Sequence, residues 1–196
     1  MLQIVKYPHP ALCQKCYPLR KVDAELKEMI GEMFQLMYSH KGVGLAANQV
    51  GLPYRFFIMN PTGKEENKEE EYVFINPEIT RGSGKPITDE EGCLSFPEIY
   101  FETIRSPKVT IRAYNLRGEE VTYKWDGFPA RIVQHEYDHL DGVSFFLRAA
   151  EEDWDIIDQI EKLKKTFQQQ QAEGTIADNE TLQKELQRLA ELRAML

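Results

Sequence analysis

No stretch of this chain is apolar for long enough to cross a membrane, and its first residues, MLQIVKYPHP, lack the continuous apolar run of a secretion signal. Cysteine is scarce: three residues, an odd number, are too few for a disulfide scaffold, so a reducing, cytoplasmic setting is expected. Positive charge is in deficit as well. Lys and Arg number 24 against 32 Asp and Glu, a net charge of −8, which argues against general binding to nucleic acid through a basic surface. The glycine-rich stretch at 42–51 has neither a Lys followed by Ser/Thr nor G-x-G-x-x-G spacing, so a phosphate loop is disfavoured. What is present is 196 residues with 42% hydrophobic content, enough for one well-packed domain with extensions.

The most informative stretch is Gln134-His135-Glu136-Tyr137-Asp138-His139, which reads H-E-x-x-H. On a helix, His135 and His139 lie on one face, one turn apart, where two imidazoles can share a metal ion. Glu136 is then placed beside them to act as a base on water. Three fixed residues are a weak filter, and an exposed helix carrying two His by chance is the alternative. The flanks favour a buried helix: Ile132 and Val133 precede the motif, Leu140 follows, Pro129 suits the first turn, and Gly142 suits the stop.

Elsewhere the pattern is that of an α+β chain. Leu2, Ile4 and Val5 read as a short strand ended by Pro8 and Pro10. Cys13 and Cys16 form a C-x-x-C; a structural zinc would need two more ligands, for which only His9 and His40 are nearby, and the pair reads as ordinary small thiols. Asp23 is a cap for a helix whose Leu26, Met29, Ile30, Met33, Phe34 and Met37 form a core stripe. In the small-residue run from Gly42 to Gly51, a substrate can approach the backbone closely, and Gln49 offers two N–H donors; its plain alternative is a satisfied buried amide. Strands are expected at 54–60 and 72–76 around a charged loop at 61–71, then a turn at Gly82-Ser83-Gly84. Further strands are expected at 109–114 and 120–125 around a turn at 115–118. An apolar extended piece at 143–147 and a helix over about 151–171, striped by Ile156, Ile160, Leu163 and Phe167, follow. A last helix is capped by Asp178 or Asn179 and carries Leu182, Leu186, Leu189 and Leu196. The polar segment 175–179 reads as a linker, so residues beyond about 175 are expected to be dispensable for the chemistry.

A catalytic metal takes a third protein ligand, and three sources are open. The metzincin continuation fails because Phe145 stands where a His is needed. An acidic residue on a later helix would be Asp158 or Glu161. The remaining source is Cys93 in Glu91-Gly92-Cys93-Leu94-Ser95, either a buried thiol or a thiolate ligand.

Taken together and in order, GVGLAANQ, EGCLS and QHEYDH resemble the three motifs of the peptide deformylase family, over roughly residues 1–148. The resemblance implies a compact α+β single domain, with antiparallel or mixed sheets around the central H-E-x-x-H helix. Residues 1–148 would form the catalytic unit and 149–196 a C-terminal helical extension. It implies a divalent metal, natively Fe(II) with Zn, Ni or Co in preparations, held by Cys93, His135 and His139. It implies hydrolysis of the formyl group from N-formylmethionine of nascent peptides, with Glu136 as acid and base and Gln49 and the Leu94 backbone N–H on the oxyanion. Val43, Gly44 and Ile132 would bind substrate, and a Glu91–Arg105 pair would steady the metal loop.

The sequence departs from the family pattern at Tyr100, where many relatives carry Arg, and at Pro129, a common Leu. The loop at 62–71 and the tail from 149 are longer than in many relatives. A C-terminal helix in the family docks on the ribosome, for which Lys162, Lys164 and Lys165 are the candidates here. An H-E-x-x-H endopeptidase using Asp158 or Glu161 is the rival activity. A metal-stabilised binding protein is disfavoured, because a structural site needs no Glu136 and wants four ligands.

Overall fold

The structure is a computed structural model and describes residues 2–150 and 154–194. Helix α1 is Ala24–Ser39, and the Asp23 side chain caps it by accepting from Leu26 N at 3.0 Å, as its position predicts. Strands β1 (Gly44–Ala46), β2 (Phe56–Met59), β3 (Tyr72–Ser83), β6 (Lys108–Tyr114) and β7 (Glu120–Asp126) form one sheet in the order β1-β2-β3-β6-β7. All four pairings are antiparallel. Strands β4 (Ile87–Cys93) and β5 (Phe96–Arg105) form a separate two-stranded hairpin. Helix α2 (Gly127–Leu140) lies against β1, β2, β6 and β7, while α3 (Trp154–Ala172) packs on β5. Helix α4 (Asn179–Arg193) ends the described chain.

Burial explains the arrangement. Ala130, Ile132, Val133 and Leu140 of α2 pack with Phe57, Met59, Phe74 and Ile111 of the sheet. The α1 stripe fills a second cluster with Leu45, Phe56 and Ile58, and Ile156 and Ile160 of α3 join Phe96, Ile99 and Phe101 of β5 in a third. Gly142 follows α2 at φ +70°, and a Cβ there would lie 2.9 Å from the Gln14 backbone, so the stop suits glycine for two reasons.

Several expectations change. The N-terminal segment forms no strand; instead Val5 N–H donates to Gln49 O at 2.8 Å and Tyr7 N–H to Ser95 O at 3.0 Å. Strand β3 does not stop at Pro77. Asn76 takes φ +49° with its amide bonded to Leu19 N and O, and the register shift there carries the strand past the proline. Residues 145–148 form a 3-10 turn where an extended piece was expected. The expected helix start at Glu151 and the expected contact of Leu196 lie outside the described residues.

The linker reading of 175–179 is overturned. Thr175 N–H and Oγ both bond Gln170 O, and Asp178 caps α4 through Thr181 N at 2.8 Å. Leu186, Ala190 and Ala194 are buried, the last two in the α1 cluster. Arg193 grips both oxygens of Asp23 at 2.7 and 2.9 Å, and Tyr54 donates to Leu189 O at 2.9 Å. The final helix is therefore part of the core.

Candidate active site

The buried helix α2 presents His135 and His139 one turn apart, with ring centroids 5.0 Å from each other. Cys93 arrives from the end of β4, at the bulge where the hairpin turns. Its Sγ is 3.2 Å from His139 Nε2, and the ligating atoms of Cys93, His135 and His139 all lie within 4.8 Å of one another. A thiol and two imidazoles at that separation fit one divalent transition-metal ion, and they leave a coordination position for substrate. Asp158 and Glu161 stand elsewhere, exposed on α3 and paired with Lys162 and Lys164. Among the described residues they belong to no ligand group, so the later-helix source of a third ligand falls away.

The surroundings favour positive charge at this point. Glu91 Oε2 is 2.8 Å from His135 Nδ1, which orients the ring so that Nε2 faces Cys93. Burial works to lower the His135 pKa, but the hydrogen bonds to Cys93 and Glu91 outweigh it and hold the pKa well above the usual value. The Glu91 carboxylate behind His135 also draws a cation toward this point. His139 is pushed far the other way, by burial and then by His135 and Arg105, which favours the neutral imidazole; His135 would have to give up its proton to a bound cation. Burial opposes ionisation of Glu91, yet His135 and Arg105 keep its carboxyl well below the ordinary range. Arg105 contacts Glu91 through Nε at 2.9 Å and Nη2 at 3.0 Å, so the expected pair is present.

Glu136 lies beside these ligands, 4% exposed, and its Oε2 has no hydrogen-bond partner among the described residues. Burial pushes its carboxyl up to about 7, against the pull of His135. The Ala46 backbone N–H does bond this carboxyl, but leaving the buried Oε2 without a partner is costly, which marks a position kept for chemistry. Gln49 accepts from Ala46 N at 2.8 Å through Oε1, which turns Nε2 toward Cys93 Sγ and Ser95 Oγ, each at 3.4 Å. Val43, Gly44, Leu94 and Ile132 line the same cleft of about 500 Å³, and Tyr100 and Phe128 stand exposed at its rim.

Gly44 has a steric duty. A Cβ built there would sit 2.5 Å from Glu136 Oε1. We expect Gly44→Ala to displace the carboxyl and lower turnover by about 10-fold or more, up to the 10²–10⁴ that a general base at this position would supply. An alanine variant with wild-type kcat would show that the carboxyl is not held against this backbone.

Sequence reading had not found Arg131, Asp138 and Arg148. Asp138 accepts from Arg105 Nη1, with a very short contact, and from Arg148 at 2.8 and 3.0 Å, tying the helix to the 3-10 turn at 145–148. Asp138 is itself the x-D of the motif, so the available signal was a charged residue on a helix with little exposed surface.

A family profile described as polypeptide deformylase matches residues 1–155. The chain is 47% identical over 195 residues to a peptide deformylase of Rhodopirellula baltica, covering 99% of this chain and 94% of that one. It is 42% identical over 169 residues to the chloroplastic/mitochondrial peptide deformylase 1B of Arabidopsis thaliana, covering 86% of this chain and 62% of that longer protein. A solved structure of Arabidopsis peptide deformylase 1B with an inhibitor superposes with a TM-score of 0.83 at 40% identity, over 87% of this chain and 94% of that one.

Proposed function

Since the chain belongs to the polypeptide deformylase family, we propose that Cys93, His135 and His139 hold its metal ion, that Glu136 moves the proton, and that Gln49 and the Leu94 backbone N–H receive the oxyanion. The protein is an enzyme that removes the formyl group from N-formylmethionine of newly made polypeptides and releases formate. The observation that carries the residue assignment is the convergence of three ligand atoms on one point beside a buried carboxylate whose Oε2 has no partner among the described residues.

A divalent ion, when bound, supplies Lewis acidity and acidifies water toward a pKa of about 7. Glu136 accepts a proton from the attacking water at Oε2 and returns it to the Met nitrogen as the C–N bond breaks, so the amine leaves neutral. Gln49 Nε2 and the Leu94 N–H donate to the formyl oxygen while it carries negative charge, where each donor is worth about 3 kcal/mol. Val43 and Ile132 wall the methionine side chain, and the Gly44 backbone bonds the peptide. Glu91 and Arg105 fix the His135 ring, which would present its other nitrogen to a bound ion. The thiolate in the donor set suits Fe(II), Zn, Ni or Co better than Mg or Ca. Fe(II) as the native ion rests on the family resemblance.

On this reading residues 1–148 carry the chemistry and 149–196 form the helical extension. Docking on the ribosome would fall to that extension. Lys162 and Lys164 already pair with Asp158 and Glu161, so they offer less free charge than the sequence suggests. No described helix is long and apolar enough to cross a membrane. A cytoplasmic site of action is proposed on the cysteine content alone.

The test is formate release from formyl-Met-Ala beside cleavage of an unformylated internal peptide. Release from the first alone is expected. Cys93→Ala should lose most of the bound metal, and Asp158→Ala should keep it. Endopeptidase activity, or full metal content in Cys93→Ala, would overturn the assignment.

A further inference from the structure

Cys93 and Leu94 reach the site on a hairpin that pairs with no strand of the main sheet, whereas His135, Glu136 and His139 ride on α2. The ligand geometry therefore depends on how firmly this hairpin is held to that helix. Arg131, one turn before His135 on the same face, spans the gap. It is 5% exposed, and its guanidinium reaches across to the hairpin: Nη1 to Glu91 Oε1 at 2.8 Å, to Thr103 Oγ1 at 2.7 Å and to Thr103 O at 3.2 Å, and Nη2 to Ile87 O at 3.1 Å. Thr103 is fully buried on β5, and Ile87 and Glu91 lie on β4. One side chain thus ties both strands of the hairpin to the helix.

Glu91 is the common point. Its Oε1 receives Arg105 Nε and Arg131 Nη1, and its Oε2 receives Arg105 Nη2 and faces His135 Nδ1. Arg105 belongs to the hairpin itself, at the end of β5, so its bond to Glu91 stiffens the hairpin without docking it. Asp138 accepts from Arg105 on the far side, yet Arg131 alone contacts β4 and β5 together from within α2 among the hydrogen bonds described. A buried guanidinium is retained only where its donors are met, and here the hairpin meets them.

We infer that Arg131 is a positioning residue that sets the hairpin bearing Cys93 and Leu94 against the helix bearing His135 and Glu136, and so keeps the ligand set closed around the metal. This rests on the proposed ligands. Arg131 also forms part of the cleft wall, so direct contact with the substrate peptide is the competing role.

The full-length protein loaded with Co(II) or with Zn distinguishes the two. Arg131→Met should release metal to a chromogenic chelator about 10- to 100-fold faster and should shift the thiolate-to-Co(II) absorption. Its kcat for formyl-Met-Ala should fall with KM little changed, and Arg131→Lys should recover part of both effects. Thr103→Val removes one anchor and no charge. It should change release in the same direction by a smaller factor, and it serves if the Met variant does not fold. Wild-type release and absorption in Arg131→Met and Thr103→Val overturn the inference, whether KM rises, which would make Arg131 a substrate contact, or only the melting temperature falls. A wild-type protein that holds no metal or leaves formyl-Met-Ala intact would instead remove the assignment of the site.

Discussion

Glu136→Gln is expected to leave the fold and the metal content unchanged and to lower formate release from formyl-Met-Ala by at least about 10²-fold, the lower end of what a general acid–base group supplies. Glutamine has the same outline as the carboxylate, so the contact with Gly44 and the packing of α2 are preserved. It cannot accept and return a proton. The donors around the site remain in place: Gln49 Nε2 is held by its own Oε1 bond to Ala46, and Cys93, His135 and His139 are untouched. Burial already drives the Glu136 carboxyl up to about 7, so removal of the ionisable group relieves an unfavourable interior charge. The melting temperature should therefore hold steady or rise. A loss of activity with no loss of stability is the signature of a group kept for function at the expense of the fold. Turnover near wild type in a metal-loaded Gln variant would remove Glu136 from the mechanism.

The parts of the molecule that were legible in sequence are those whose determinants are local. Asp23 announces α1 because a cap and a stripe of spacing 3-4 lie within a few residues of one another. The turn at 115–118 between β6 and β7 is legible in the same way, from Asn115 and Gly118 between two alternating runs. The motif spacing also pointed to Cys93, His135 and His139 as candidate ligands, and the structure brings Cys93 to the two histidines across more than 40 residues. Strand β4 was not. Its sequence, ITDEEGC, is mostly exposed, so no alternation of apolar residues marks it; it is a strand because β5 pairs with it. The ionic network was hidden for a related reason. Arg131 reaches Glu91 over 40 residues and Arg105 reaches Asp138 over 33, and nothing in either neighbourhood reveals the partner. Helix α4 hides its packing from the sequence because its buried face is carried by Leu186 and Ala190, with Ala194 just past its end. Alanine contributes little to a hydrophobic stripe, yet it lets a helix approach closely. The charged residues on the other faces then dominate the impression of a detached tail.

Truncation after Gly174 should accordingly destabilise the whole protein. Leu186 is 3% exposed, and its burial contributes about 1.5–3 kcal/mol. Ala190 and Ala194, at 0% and 1% exposure, and the half-buried Leu189 add to this through the cluster they share with Leu26, Ile30 and Tyr54. Loss of α4 also uncovers those partners. A total on the order of 4 kcal/mol follows, a large fraction of the 5–15 kcal/mol that a domain has in hand. At about 2–4 °C per kcal/mol for a chain of this size, the melting temperature should fall by roughly 10 °C. The polar contacts act in the same sense: Arg193 closes on both oxygens of Asp23, the cap of α1, and Arg20 donates to Glu191 O at 2.6 Å. The effect should reach the active site. The cluster under α4 contains Leu45, Ala47 and Val50, which flank Gly44 and Gln49, so slackening there frees the amide proposed to receive the oxyanion and the backbone held against Glu136. Activity measured well below the new melting temperature should therefore fall with kcat, while Cys93, His135 and His139 still retain metal. Leu186→Ala in the full-length chain is the milder version and should cost about 2 kcal/mol, the lower end for such a truncation. If residues 1–174 melt and turn over as the full chain does, α4 is an appendage, and its burial against α1 contributes nothing that the enzyme needs.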